Sequence, residues 1–270
     1  MRMILAALAV LVALPAAAQE RRPSHCIAMV DGPDQVMPAS FRAPVAEDTV
    51  RITYVDHAMF LVQTHGGLSA VTDYNGFLGS VKFVPDVVTM NRAHSTHWTA
   101  LPDPAIPHVL WGWEPEGTAN HHLDLGEMLV RNVPTDIRAR DGSRTLEADG
   151  NSIFIFEVAG LCIGHLGHLH HEPTEADYAA IGRLDVVMAP VDGGLTLDTE
   201  TMIRVLTRLR SSVVIPMHWF GRTTLERFLS GMEAEFAIER IGASEMTVSL
   251  RDLPSRPTVR VLEPRWLSEE

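Results

Sequence analysis

Between residues 50 and 89 the chain passes through VRITYV (50–55), AMFLVQT (58–64), LSAVTD (68–73) and PDVVT (85–89), each bounded by Gly, Asp or Asn. Short β-branched runs with such punctuation form strands, and strands this close together must pair into a sheet. EMLVRNV (127–133), SIFIFEV (152–158) and LCIG (161–164) continue the pattern, while residues 90–107 read as irregular and carry three prolines. After residue 171 the rhythm changes to strand and helix in alternation. Thr174 caps a helix over TEADYAAIG, and LDVVMAPV (184–191) is a buried strand. DTETMIRVLTRLR (198–210) spaces Met202, Val205, Leu206 and Leu209 along one helix face behind the cap Asp198. SSVVIPMHW is another strand and TTLERFLSGM another helix; EMTVSL (245–250) and TVRVL (258–262) are expected to complete the second sheet. A strand-rich half followed by strand–helix alternation predicts an α/β fold of two sheets sandwiched between helices.

The N-terminus reads differently. MRMILAALAVLVALPAAA has one basic residue, an apolar run too short to span a bilayer, Pro15, and the small residues Ala16–Ala18. Residues 1–18 are therefore expected to be a secretory signal peptide, which makes the protein periplasmic or secreted, with no membrane contact after cleavage. Residues 19–48 are a polar, proline-dotted N-terminal extension, and 49–270 form one domain. The formal net charge of −12 argues against nucleic acid or an anionic membrane as partner, since both need a basic face. Only two cysteines are present, Cys26 and Cys162. In an oxidising compartment they pair or remain two thiols, and sequence does not choose between these.

Histidines mark the ends of the strands. His57 follows the first, His94 and His97 follow PDVVT, His165 and His168 follow LCIG within GLCIGHLGHLHHEP (160–173), and His218 follows VVIPM. One histidine at a strand end is ordinarily a hydrogen-bonded structural residue. Several strand ends delivering imidazole to one edge of a sheet point to a metal, because zinc takes imidazole nitrogen and a catalytic site needs about three protein ligands and an open position. Trp98 and Trp219, next to two of these histidines, either wall a pocket or pack the strand ends. Gly193–Gly194 reads as a turn.

The order of these pieces resembles the metallo-β-lactamase superfamily, in particular its lactonase-like and phosphodiesterase-like hydrolases. The segments that carry the resemblance are ITYVDHAMFLVQT, VTDYNG, IGHLGHLHHEPTEADYAAIGRLDVVMAPVDGG and VVIPMHW, spanning about residues 49–220. The resemblance implies a four-layered αββα sandwich and a metal-dependent hydrolase acting on a small-molecule substrate. The family's His-x-His-x-Asp-His motif falls on RAHSTH (92–97), so Arg92 stands for the first histidine and Thr96 for the aspartate, with His94 and His97 retained. Its His-Leu-Gly-Asp-Leu-Gly-His segment puts His168 where a bridging carboxylate is expected.

The ligand set thereby implied is His94, His97, His168 and His218. A single imidazole nitrogen binds one metal where a carboxylate spans two, so the set suits one zinc ion better than two, and copper or nickel would also accept it. Asp136 is the carboxylate near the family's mid-chain ligand position. Asp73 or Asp136 is expected to orient or deprotonate a water, and His57 to protonate a leaving group or support a ligand. Asp73 also reads as an ordinary turn residue. Arg92 is expected to add positive charge beside any cation. The alternative reading is a non-catalytic metal- or ligand-binding protein on the same scaffold.

Overall fold

Strand alternation and the short connections produce the architecture directly. The structure is a computed structural model and describes residues 41–139, 142 and 144–269. In chain order the described strands are β1 (Thr49–Asp56), β2 (Met59–Gln63), β3 (Ser69–Val71), β4 (Val87–Met90), β5 (His108–Trp111), β6 (His122–Asp124) and β7 (Met128–Arg138). They continue with β8 (Thr145–Val158), β9 (Leu161–His165), β10 (Val186–Pro190), β11 (Val213–Met217), β12 (Ala237–Arg240), β13 (Glu245–Ser249) and β14 (Thr258–Val261). The α-helices are α1 (Glu175–Ile181), α2 (Thr199–Leu209) and α3 (Arg222–Met232). The candidate signal peptide, most of the extension and Cys26 lie outside the described residues. Among those described, no helix is long and apolar enough to cross a membrane.

Six strands form one sheet in the order β13-β1-β2-β3-β4-β5, and eight form a second in the order β12-β14-β11-β10-β9-β8-β7-β6. Their inner faces meet through Ile52, Phe60 and Val62 on one side and Phe154, Phe156, Met188 and Ile215 on the other. The outer face of the second sheet is covered by the helices, with Met202, Val205 and Leu206 of α2 and Leu225, Phe228 and Leu229 of α3 against Ile153, Val187 and Val214. The outer face of the first sheet buries Leu61, Val71 and Met90 beneath irregular segments carrying Phe41, Tyr74, Ile106 and Trp113. This is the expected α/β sandwich, with its fourth layer built, among the described residues, from loops.

Helix ends follow their caps. Thr174 and Asp177 form a capping box at α1, and Asp198 accepts the Thr201 N–H at α2. One expectation fails. EMTVSL does not extend the second sheet: β13 pairs antiparallel with β1, Thr49 opposite Ser249, and only β14 joins the second sheet, beside β11. An alternating strand specifies which face is buried but not which edge it pairs with. Trp98 and Trp219 are half-buried and pack against cores, Trp98 against Trp113 at 5.8 Å between centroids.

β9, β10, β11 and β14 run parallel, as do β3 and β4, so their C-terminal ends collect at one edge of the sandwich, where ligands of such sheets bind. Asn91, just past β4, ties the two sheets there by donating to Asp73 (2.8 Å) and accepting the Ser152 N–H of β8 (2.7 Å). Gly167 packs against this floor at φ +59°, where a Cβ would collide with Asn151 Oδ1 and Asn91 Nδ2. Gly167→Ala should therefore cost about 2–4 kcal/mol, from left-handed backbone strain plus the collision, as read by urea denaturation. A loss below about 0.5 kcal/mol would contradict this packing.

Candidate metal centre

Each functional side chain is delivered by a strand end. His57 heads the two-residue connection between β1 and β2, where Asp56 pairs with Met59, at φ +44°. Its carbonyl accepts from the Tyr54 hydroxyl (2.6 Å) and from the His218 N–H (2.8 Å), locking the hairpin to the end of β11. His218 itself sits at φ +59° and Asp73, past β3, at φ +44°. Left-handed backbone costs about 1–2 kcal/mol per non-glycine residue, and three such residues in one place mark a site whose geometry is imposed by its surroundings.

His57, His94, His97 and His218 each place a ring nitrogen so that all four lie within 4.8 Å of one another. His168 joins them, its Nε2 3.2 Å from His94 Nε2. Two carboxylates stand behind the rings. Asp73 pairs with His97 Nδ1, and Asp192 Oδ2 lies 2.9 Å from His218 Nδ1. The Asp73 carboxylate accepts from His97 Nδ1, which leaves a bare lone pair on His97 Nε2, and the nearby Asp192 charge favours the same tautomer at His218, although that contact is not aligned as a hydrogen bond. Those two Nε2 atoms face each other at 3.2 Å.

Two lone pairs at that separation repel unless a positive charge lies between them. A shared proton would require an imidazolium, but burial, reinforced by the neighbouring His218, His94 and His57 rings, holds His97 well below the usual histidine range. A metal cation between the two nitrogens would remove that repulsion. Two imidazoles on a tetrahedral ion at about 2.0–2.1 Å have nitrogens about 3.3 Å apart, close to the 3.2 Å found for His97–His218 and for His94–His168. His57 Nε2, buried without a hydrogen-bond partner, is a further nitrogen open to the same ion. The residues fit a metal.

The charges around the cluster agree. Burial, then the His218 and His94 rings, pushes His57 down to about 3. Burial raises the Asp73 carboxyl to about 6, against His165 and the Asn91 amide, which favour its ionised form. Burial also opposes ionisation of Asp192, but His218, the Thr196 hydroxyl and the Thr196 amide outweigh it and hold that carboxyl well below the ordinary range. Asp192 Oδ1 collects the N–H groups of Gly194, Leu195 and Thr196 at 2.6–3.1 Å, so the Gly193–Gly194 turn wraps this carboxylate.

Several expectations need correcting. Asp136 is not brought to the cluster: its carboxylate accepts from Asp149 N and Thr145 Oγ1 and ties the β7–β8 hairpin. Asp73 is fully buried behind His97 with both oxygens engaged, so it positions a ring and has no open face toward a water. Arg92 does not add charge beside the cluster. It pairs with Glu147 at 3.2 Å. His57 lies in the cluster itself. His165 is outside it, donating from Nε2 to Ala58 O (2.7 Å) while Nδ1 accepts the Gly167 N–H. His121 is half-buried, its Nε2 2.7 Å from Trp111 O. Cys162 is disulfide-bonded, and the other cysteine of the chain lies outside the described residues. Asp192 was not anticipated, because Asp-Gly-Gly after a strand reads first as a turn.

Residues 51–218 match the family described as the beta-lactamase superfamily domain. The chain belongs to that superfamily. A UPF0173 metal-dependent hydrolase of Methanosphaerula palustris is 24% identical over 78% of this chain and 100% of that protein. A crystal structure from Thermotoga maritima, assigned as a Zn-dependent hydrolase of the metallo-beta-lactamase superfamily, matches with a TM-score of 0.57 and 25% identity, covering 80% of this chain and all of the other. Igni18, a metallo hydrolase of Ignicoccus hospitalis, has the same fold at a TM-score of 0.50 and 17% identity, over 80% of this chain and 96% of that one.

Acid should unfold the metal-free superfamily domain early. His57 and His170 (about 4, through burial, Arg138 and His171) are held below the ordinary histidine value of about 6.5, so the unfolded chain binds protons that the native state refuses. Their contribution is complete above about pH 6.5 and is lost as pH falls towards 4 and then 3. The urea midpoint of chelator-treated protein should drop between pH 7.5 and 4.5; an unchanged midpoint would contradict the buried neutral cluster.

Proposed function

We propose that the protein is a metal-dependent hydrolase holding one zinc ion in an all-imidazole site, with His94, His97, His168 and His218 as ligands and His57 as a further nitrogen. The observation that carries this reading is the pair of bare Nε2 atoms of His97 and His218, 3.2 Å apart, each ring backed by a carboxylate. The relatives named as metal-dependent or Zn-dependent hydrolases support it. Nitrogen donors without thiolate or carboxylate suit zinc, copper or nickel and disfavour calcium or magnesium.

A bound ion supplies Lewis acidity and lowers the pKa of a coordinated water towards about 7. The protein's own residues do the rest. Asp73 and Asp192 hold His97 and His218 in one tautomer, while His94 is exposed and leaves its side of the cluster open to a substrate. Phe220 is 65% exposed with its ring 5.3 Å from His57 and 5.4 Å from His218, which puts an apolar face at the mouth. A small ester, lactone, amide or phosphodiester bearing an apolar group fits this arrangement. The proposed setting is outside the cytoplasm, after removal of residues 1–18.

One observation favours a second reading, a metal-binding protein without turnover. Asp73 and Asp136, the expected bases, are both committed to other bonds.

The test is metal content beside activity. The purified mature protein should hold about one zinc per chain by mass spectrometry, lost in His97→Ala/His218→Ala, and should hydrolyse at least one member of an ester, lactone, β-lactam and phosphodiester panel. No retained ion after zinc addition and dialysis would overturn both readings, and a retained ion with no turnover would favour the second. Asp192→Asn should weaken zinc binding by about 10–100-fold by removing the carboxylate behind His218, measured by chelator competition. Wild-type affinity in that variant would contradict the role given to Asp192.

A further inference from the structure

His168 is oriented differently from His97 and His218. Its ring is 4% exposed and its backbone N–H donates to Asn151 Oδ1 at 2.7 Å, so its position is set from below by a buried asparagine. Its Nε2 faces His94 Nε2, but among the described residues no carboxylate is hydrogen-bonded to its ring. Among the described residues, the group within hydrogen-bonding distance of its Nδ1 is His170 Nε2, at 2.6 Å with the rings 4.6 Å apart and tilted by 32°.

We propose that His170 is a positioning residue for His168. Its Nε2 accepts the His168 Nδ1–H, which leaves His168 Nε2 bare and aimed at the point it shares with His94. The proposal rests on the reading of the cluster as a metal centre. A ring nitrogen that binds a cation carries no proton, so a neutral His168 holding the ion through Nε2 must carry its proton on Nδ1, and a buried N–H needs an acceptor. His170 is the acceptor, doing for His168 what Asp73 does for His97 and Asp192 for His218.

The His170 ring then has its own proton on Nδ1, which is buried and unpartnered. Without an ion the opposite arrangement is better satisfied: His170 Nε2–H donates to His168 Nδ1, and His168 Nε2–H donates to His94 Nε2. Taking up the ion therefore moves one proton within each of the two rings from Nε2 to Nδ1, with no net gain or loss. Because the acceptor is a neutral imidazole and not a carboxylate, His168 is the least electron-rich of the three supported rings and the ligand most readily released.

Two measurements test this on the full mature protein. Zinc affinity is read by chelator competition for wild type, His170→Gln, whose side-chain amide oxygen reaches about as far as imidazole Nε2, and His170→Met, which keeps the volume without a comparable acceptor. His170→Met should bind zinc about 10–100-fold more weakly, the usual cost of losing such a partner, and His170→Gln should stay close to wild type. Long-range ¹⁵N–¹H spectra of the zinc-loaded wild type should show His168 protonated at Nδ1. Equal affinity in all three proteins, a His170→Gln loss as large as that of His170→Met, or a loaded His168 protonated at Nε2 would each overturn the proposal while leaving the metal centre standing. A wild type that takes up no zinc would overturn both. Should His170→Met fail to fold, the His170→Gln affinity and the wild-type spectrum still decide.

Discussion

Everything at this edge of the sandwich depends on two buried carboxylate–imidazole pairs, Asp73 with His97 and Asp192 with His218. Asp73 fixes a proton on His97 Nδ1 and thereby leaves a lone pair on its Nε2, and the Asp192 charge 2.9 Å from His218 Nδ1 favours the same arrangement there. Burying two charges in this way is costly unless every oxygen is satisfied. The chain meets that condition with Asn91 on Asp73, and with the wrapped Gly194–Thr196 backbone on Asp192. A fold driven by stability alone has no reason to aim two lone pairs at each other at 3.2 Å. The cost is understandable if a cation completes the arrangement.

The rest of the fold serves that geometry. Parallel pairing of β9, β10 and β11 delivers His168, Asp192 and His218 to one edge, and the β1–β2 hairpin closes over it from the other sheet. Cross-sheet bonds converge there: Asn91 to Ser152, His165 to Ala58, and His218 to the His57 carbonyl. Left-handed backbone at His57, Asp73 and His218 is tolerated because these bonds over-determine each position. Local strain and sheet-to-sheet adhesion are thus two aspects of one design.

Much of this could be read from the chain. β-Branched runs located most strands, caps located the helices, and the strand-end histidines identified the edge that matters. What escaped has physical reasons. The short strands β5, β6 and β12 are mostly half-buried or exposed and carry no clear alternation, and the pairing of β13 with β1 is a choice of edge that no local pattern encodes. Asp136 was drawn in by its position along the chain, although its side chain secures a hairpin. Asp192 looked like a turn residue because it is one, and its second role depends on His218 arriving from another strand. His168 is a departure from the motif, and only the fold shows that its ring meets that of His170.

The superfamily match gives the scaffold, and the altered motif makes the centre distinctive: an imidazole, His168, where a bridging carboxylate is expected, with carboxylates beside the retained His97 and His218. The most direct test is anomalous diffraction at the zinc edge from crystals of the zinc-loaded protein. A single strong peak within bonding distance of both His97 Nε2 and His218 Nε2 is the predicted result. No peak there, or the ion seated instead at the exposed His171 or His122, would contradict the account.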